Sequence, residues 1–150
     1  MNNRIPPPIL LLLTGALMWL VSSSSFNFPF DISNPLIPSL ALGGGGALID
    51  LLALRQFRAA QTTVNPLKPD TATSLVREGV FRYSRNPMYV GLVLILSGWC
   101  LWLGSLSNLG ILIVFIGLIT QFQIKPEEVA MRSLFGEAYS AYCMKVRRWI

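Results

Sequence analysis

The sequence contains no histidine, and only 13% of its 150 residues are charged. Without histidine the chain lacks the side chain that most often acts as a general base near neutral pH. Soluble domains carry about a quarter charged residues. With half that share and 53% hydrophobic residues, this chain has the composition of a membrane protein. Its two cysteines, Cys100 and Cys143, show no metal-ligand spacing and no sign of a disulfide, so no metal site is predicted.

The basic residues, which give a net charge of +5, flank four apolar stretches. Membrane topology alone requires such a distribution, so a lipid bilayer rather than a nucleic acid is the expected partner. Arg4 precedes the first stretch, and further cations, Lys68 among them, lie between the second and third stretches and after the fourth. The positive-inside rule then places both termini in the cytosol, in a multi-pass protein of a bacterial-type inner or plasma membrane.

The apolar stretches predict an all-α fold, a polytopic membrane helix bundle that forms one domain over residues 1–150. A helix needs about 20 residues to cross a bilayer. The predicted spans are about 5–22, 36–54, 87–104 and 108–124, followed by a cytosolic tail, 125–150. A cleaved signal peptide is the alternative for the first stretch, because a basic residue precedes it and Ser22–Ser25 follow it, although no clear cleavage site is present.

The tail is predicted to form an amphipathic helix, which would lie along the membrane surface. Pro126 suits a helix start, and Gly136 weakens the helix and favours a bend. Residues at helical spacing form one apolar face of this helix: Phe135, Tyr139, Tyr142 and Val146. Packing is a simpler role for such an aromatic face than ligand binding.

The most informative segment lies where the third span begins. Asn86 is a preferred N-cap residue and Pro87 suits the first helical position, so a helix is predicted to start here. A helix start presents unpaired N–H groups and a partial positive charge, which together bind anions. Arg85 precedes this start, and Tyr89 and Gly91 follow it.

Two carboxylates, Glu127 and Glu128, follow the fourth span. Because spans three and four form an antiparallel hairpin, this pair is expected close to the start of span three. Together the two groups offer N–H donors, a guanidinium, a phenol and carboxylates, which match the needs of S-adenosylmethionine. Structural roles are the alternative, with Arg85 extending to lipid phosphates and Glu128 pairing with Arg132 one turn away.

Asp50 lies toward the cytosolic end of the second span, where a carboxylate is costly and often functional. Pairing with Arg55 or another loop cation is the structural interpretation, and contact with a cofactor or substrate is the functional one. The same span contains four consecutive glycines, 43–46, which favour the close approach of a neighbouring helix.

Four blocks of the sequence occur in a fixed order: Gly79–Gly91 (GVFRYSRNPMYVG), Glu127–Glu128, Phe135–Tyr142 (FGEAYSAY) and Val146–Trp149 (VRRW). Together they resemble the isoprenylcysteine carboxyl methyltransferase family and the related phospholipid methyltransferases. The resemblance covers residues 62–150. Asn86 stands where the family has histidine, and asparagine hydrogen-bonds but cannot carry a charge.

The resemblance implies an S-adenosylmethionine-dependent methyltransferase that acts on a lipophilic acceptor at the cytosolic membrane face. The first acceptor class is the carboxyl group of an isoprenylcysteine-like substrate, with phospholipid N-methylation and small-thiol S-methylation as alternatives. A non-catalytic membrane scaffold or a small transporter is the alternative of another class. Since the chain has no histidine to act as a base, an acceptor that is already anionic is favoured over a protonated amine.

The resemblance also implies roles for particular residues. The expected cofactor-binding residues are Arg85, Asn86, Pro87, Tyr89, Gly91, Glu127 and Glu128. Three of these are also the expected catalytic residues: Arg85, Glu127 and Glu128. The expected substrate-binding residues are Arg147, Arg148, Tyr139 and Tyr142.

Overall fold

The structure is a computed structural model that describes residues 5–60 and 74–150. Across these ranges the regular structure is helical, with one isolated bridge between Pro29 and Ser105, and the predicted all-α fold is confirmed. The described helices are α1 (Pro7–Ser22), α2 (Leu36–Ala59), α3 (Pro87–Leu103), α4 (Ser107–Ile119) and α5 (Lys125–Lys145). A 3₁₀ turn (Gly79–Arg82) precedes α3, and a π-helical turn (Thr120–Ile124) joins α4 to α5. Arg4, Lys68 and the centre of the predicted long loop lie outside the described residues.

Two of these helices are long and apolar enough to cross a bilayer. The helix α2 has 24 residues, and the run from α4 through α5 has 39, which correspond to about 36 Å and about 58 Å at 1.5 Å per residue. Since the hydrocarbon core is about 30 Å thick, only the apolar first half of the longer run is needed to span it. The apolar helices α1 and α3 are shorter, with 16 and 17 residues. The molecule is a membrane protein, and its count of four spans stays a prediction.

Two helix boundaries differ from those predicted. The second helix continues past Leu54 to Ala59, because residues 55–59 contain no glycine or proline that would stop it. The tail helix does not start separately at Pro126 but continues from α4. Proline lacks an N–H and clashes with the carbonyl four residues earlier, and here that residue, Phe122, lies in the widened π turn. The expected bend occurs at Gly136, where φ is 47°.

The helices α2 and α3 pack closely at glycines. A Cβ atom at Gly46 would lie 2.5 Å from the Gly91 carbonyl oxygen, and one at Gly98 would lie 2.6 Å from the Ser39 carbonyl oxygen. Such contacts require glycine because any side chain would separate the two backbones. The predicted role of the glycines at 43–46 is therefore confirmed for Gly46, whereas a Cβ atom at Gly44 would meet nothing within 4 Å.

The first helix is part of the core. The Met18 side chain is fully buried in a cluster with α3 and α4 residues, including Leu96 and Phe115. Polar groups fix both ends of α1, since Asn108 Nδ2 donates to Ser22 Oγ at 2.9 Å near its end and Gln123 Nε2 donates to the residue 5 carbonyl oxygen at 2.7 Å just before its start. The α1 helix therefore lies along the α3–α4 hairpin over its whole length.

Candidate active site

The start of α3 lies against the C-terminal segment of the chain. Asn86 is the N-cap residue, as predicted, but its side chain makes no capping bond to the helix. Its Nδ2 instead donates to the Arg148 carbonyl oxygen at 2.9 Å, and the Arg85 N–H donates to the Arg147 carbonyl oxygen at 3.0 Å. The asparagine thus holds the last residues of the chain next to the first turn of α3.

The predicted proximity of Tyr89 and the acidic pair is confirmed. The Tyr89 hydroxyl donates to Glu127 Oε1 at 2.6 Å, from the first turn of α3 to the first turn of α5. The Tyr89 side chain is buried, and the antiparallel hairpin brings these two helix starts together. This hydrogen bond joins the two helix starts directly through their side chains.

Glu128 is bound by two arginines. Arg148 donates to both of its carboxylate oxygens, with Nε–Oε1 at 3.0 Å and Nη2–Oε2 at 2.7 Å, and Arg85 Nη2 lies 3.1 Å from Oε1. Burial by itself raises the pKa of Glu128, but the hydrogen bond from Arg148 and the charges of both arginines lower it below its ordinary value. The carboxylate is therefore ionised and fully engaged at neutral pH. The predicted alternative partner, Arg132, is near in sequence but is not the ion-pair partner in the described structure.

A cavity of about 360 Å³ lies between these groups. Its walls come from α2, the segment before α3, the first two turns of α3 and α5, and the later part of α5, and residues 7 and 8 of α1 also line it. The residues that line it are Pro7, Pro8, Asp50, Phe57, Ser74, Leu75, Val76, Phe81, Arg85, Asn86, Pro87, Met88, Tyr89, Leu92, Glu127, Glu128, Met131, Tyr139 and Tyr142. An apolar cavity with a few convergent polar groups is the usual form of a small-molecule site.

Both tyrosines predicted to bind substrate, Tyr139 and Tyr142, are buried and line this cavity. The Tyr142 hydroxyl donates to the Phe81 carbonyl oxygen at 2.6 Å, which ties the tail to the segment before α3. Burial raises the pKa of Tyr142 to about 12, although the positive charge of Arg85 opposes the shift, and burial likewise raises the pKa of Tyr139. Both phenols are therefore neutral and cannot act as bases near pH 7.

Asp50 also lines the cavity, from α2. Its Oδ1 atom is buried and has no hydrogen-bond partner among the described residues, and a Cβ atom at Gly91 would collide with it. The predicted pairing with Arg55 does not form in the described structure, where the ion pairs involve only Glu128. The carboxylate therefore belongs to the same site as Tyr89 and Glu127.

The remaining predicted residues lie next to the cavity rather than on its surface. Gly91 is buried at the contact with α2, Arg148 is engaged with Glu128, and Arg147 is exposed. Sequence reasoning missed the apolar walls, of which Phe57 had a usable signal, because it lies seven residues after Asp50 and so shares its helix face. Nothing in the sequence indicated that residues 7 and 8 would reach the cavity.

The family model for phospholipid methyltransferases matches residues 36–138, well over half of the chain. The chain therefore belongs to the phospholipid methyltransferase family, whose members are membrane methyltransferases, and the resemblance seen in the sequence blocks is confirmed. An uncharacterized protein from Haemophilus influenzae is 55% identical over 64 residues, which are 42% of this chain and 100% of that protein. No solved structure matches this chain.

Proposed function

We propose that this protein transfers a methyl group from S-adenosylmethionine to a lipophilic acceptor at the cytosolic face of the membrane. Family membership supports the reaction class. The observation that carries the proposal is the Tyr89–Glu127 hydrogen bond inside a cavity of about 360 Å³, since it joins the two sequence blocks expected to hold the cofactor. A volume of several hundred Å³ is typical of small-molecule sites.

The polar groups of the cavity fit this cofactor. The Arg85 Nε and Asp50 Oδ1 atoms are both buried without a hydrogen-bond partner among the described residues. Among the described residues that line the cavity, Arg85 thus offers one free N–H donor beside its ion pair with Glu128, and Asp50 offers a carboxylate oxygen without a partner. A ligand that carries both a carboxylate and a positive charge supplies a partner for each, and buried polar groups are normally paired.

The side chains of the cavity would orient the reactants and exclude water. When bound, S-adenosylmethionine supplies an electrophilic methyl group on a sulfonium sulfur. Tyr89 fixes the orientation of the Glu127 carboxylate, which accepts hydrogen bonds, while Leu92 and Met131 contribute apolar wall. In the bound state an acceptor nucleophile would bond to the methyl carbon as the carbon–sulfur bond broke, with the bonding pair remaining on sulfur. Alignment of these three atoms in a dry site is the main contribution of the protein.

Glu128 is better described as a positioning residue than as a catalytic one. Its carboxylate binds Arg85 and Arg148, so its charge is already compensated. Arg148 in turn belongs to the segment whose carbonyl groups accept hydrogen bonds from the start of α3. Glu128 therefore holds the wall of the site in place. Of the two arginines predicted to bind substrate, Arg147 is the exposed one and would attract an anionic acceptor.

Of the three acceptor classes predicted from the sequence, two have specific support and small-thiol methylation stays an alternative. The carboxyl group of an isoprenylcysteine-like substrate is ionised at neutral pH and needs no base. Phospholipid N-methylation is the second candidate, favoured by the description of the matching family model. A panel of prenylcysteine, phospholipid and thiol acceptors with methyl-labelled S-adenosylmethionine would identify the acceptor by which product gains the label.

Isothermal titration calorimetry on the detergent-purified protein tests the cofactor assignment. We expect binding of both S-adenosylmethionine and the demethylated product, S-adenosylhomocysteine. A Glu127→Gln variant should bind more weakly, whereas Glu137→Gln, on an exposed part of the same helix, should bind as the wild type does. Folded wild-type protein that binds neither compound would favour a scaffold or transporter.

A further inference from the structure

Asp50 is the acidic residue of the cavity for which the proposed function names no particular ligand group. It lies within α2, and its carboxylate reaches α3 at Gly91, four residues after the proline that starts that helix. Since an α-helix rises 1.5 Å per residue, Asp50 lies about one helical turn inside the start of α3. Asp50 and Glu127 line the same cavity from two different helices, α2 and α5.

An unpaired carboxylate within an apolar membrane helix has a high free-energy cost. Ionisable side chains within membrane helices are costly unless they find a partner or serve a ligand. No described hydrogen bond or ion pair involves Asp50, and the nearby guanidinium of Arg85 is engaged with Glu128. The close contact with Gly91 fixes the carboxylate against α3, so it does not extend along the helix to the water phase.

The surroundings of Asp50 define the chemistry of the missing partner. The aromatic side chains of Phe57, Tyr89 and Tyr139 line the same cavity. Aromatic faces and a carboxylate together attract cations whose charge is shielded by carbon substituents, because such cations lose little hydration when they enter an apolar site. Sulfonium and substituted ammonium groups both belong to this class of onium cations.

We propose that Asp50 is the cation-binding residue of the cavity and that its carboxylate receives an onium group of a bound ligand. The inference rests on the proposed methyl transfer and adds the residue that recognises positive charge there. Two ligands carry such a group, namely the methyl donor, as a sulfonium, and an amine acceptor, as an ammonium. The neutralising Asp50→Asn substitution separates these sources because it keeps the shape of the side chain.

The first measurement compares S-adenosylmethionine with S-adenosylhomocysteine, which lacks the sulfonium charge. If Asp50 faces the donor, Asp50→Asn should lower the affinity for S-adenosylmethionine at least tenfold and change that for S-adenosylhomocysteine less than twofold. If Asp50 faces the acceptor, both affinities should stay unchanged, while KM for an amine acceptor should rise at least tenfold and KM for an anionic acceptor should not. Asp31→Asn, in an exposed loop, is the matched control and should change none of these values.

Thermal unfolding in detergent separates this role from a structural one. Because Asp50 has no described partner, Asp50→Asn should keep or raise the unfolding temperature while it weakens ligand binding. A lower unfolding temperature, with equal losses of affinity for both cofactor forms, would overturn the inference, and so would unchanged affinities and unchanged KM values. Wild-type protein that binds neither cofactor form would instead overturn the proposed function itself, and the inference with it.

Discussion

The Tyr89 hydroxyl donates to Glu127 Oε1 at 2.6 Å, and the Tyr89→Phe substitution removes this donor while it keeps the ring. Hydrogen bonds to charged groups contribute about 1.5–3 kcal/mol. Because the bond positions Glu127 for the proposed cofactor, its loss should take away part of that energy from binding, and we expect the affinity for S-adenosylmethionine to fall by up to about 100-fold, measured by calorimetry. Tyr83→Phe is the control, because Tyr83 is 78% exposed and is not among the described residues that line the cavity. Equal affinity in Tyr89→Phe and the wild type would remove this pair from the cofactor site.

Glu128→Gln leaves two buried or half-buried arginines without their anionic partner. The side chains of Glu128 and Arg85 are 9% and 11% exposed, and breaking a buried ion pair by removing one partner costs about 3–5 kcal/mol. Because Arg148 is more exposed, we expect a loss near the lower limit, about 3 kcal/mol, seen as a lower unfolding temperature in detergent. Glu137→Gln should have little effect. An unchanged unfolding temperature in Glu128→Gln would contradict the positioning role.

The same carboxylate predicts a pH dependence. Burial raises the pKa of Glu128, but the combined effect of its arginine partners is larger and brings the pKa below its ordinary value of 4.5. A carboxylate whose pKa is lowered by folding stabilises the folded state when the pH is above its pKa in the unfolded chain. This stabilisation is lost as the pH falls through its lower pKa in the folded protein. Between about pH 6 and about pH 3.5 the unfolding temperature of the wild type should therefore fall more steeply than that of Glu128→Gln. Parallel curves for the two proteins would disprove the prediction.

At the scale of helices, the α2–α3 contact depends on single glycines. A Cβ atom at Gly46 would lie 2.5 Å from a backbone oxygen of α3, so Gly46→Ala must push the helices apart, at a cost of about 1–3 kcal/mol. Gly44→Ala, two residues earlier on an open face, should be neutral or slightly stabilising because alanine favours helix. Unfolding temperatures in one detergent compare the two variants. Equal temperatures would show that the contact is dispensable.

The parts of the site that could be predicted from the sequence lie at helix ends that proline and charged residues indicate. Pro87 starts α3, and the acidic pair follows Pro126 in a helix that returns antiparallel to it. Both signals are local, since they depend on proline and charge near apolar runs. The hairpin then brings Tyr89 to Glu127 without any further information.

The parts that the sequence did not predict depend on rotation and on irregular backbone. Four consecutive glycines point in four directions around a helix, so they do not reveal that Gly46 contacts α3 and that Gly44 does not. The sequence therefore did not predict which side of α2 faces the cavity, or that Asp50 lies on that side. The bond from Asn86 to the Arg148 carbonyl group joins a helix start to a non-helical segment 62 residues later, for which no periodic pattern exists.

At the scale of the whole molecule, contacts at the helix ends connect the two helices that are long enough to span a bilayer, α2 and the α4–α5 run, to the shorter helices α1 and α3. The loop after α1 bonds to the α3–α4 turn, where the residue 30 N–H donates to the Gly104 carbonyl oxygen at 3.0 Å. At the opposite end, Tyr89 bonds to Glu127, and Gln123 bonds to the chain just before α1. If α2 crosses the bilayer, its two ends lie on opposite sides, and these contacts then carry α1, α3 and α4 across as well. Helices of about 24–26 Å are slightly short for the bilayer, and local thinning accommodates such a mismatch at modest cost.

Together with the positive-inside rule, these contacts predict that residues 23–35 face away from the cytosol and that residues 74–86 face toward it. Single cysteines at Asn34 and Glu78, both exposed, test it in a Cys100→Ala, Cys143→Ala background. In intact bacterial spheroplasts, a membrane-impermeant maleimide should label Asn34→Cys, and it should label Glu78→Cys only after lysis. A third cysteine, at the exposed Leu106, should behave like Asn34→Cys because Leu106 donates its N–H to the residue 28 carbonyl oxygen. Labelling of Leu106→Cys only after lysis would show that α3 does not cross the bilayer and would contradict the four-span topology.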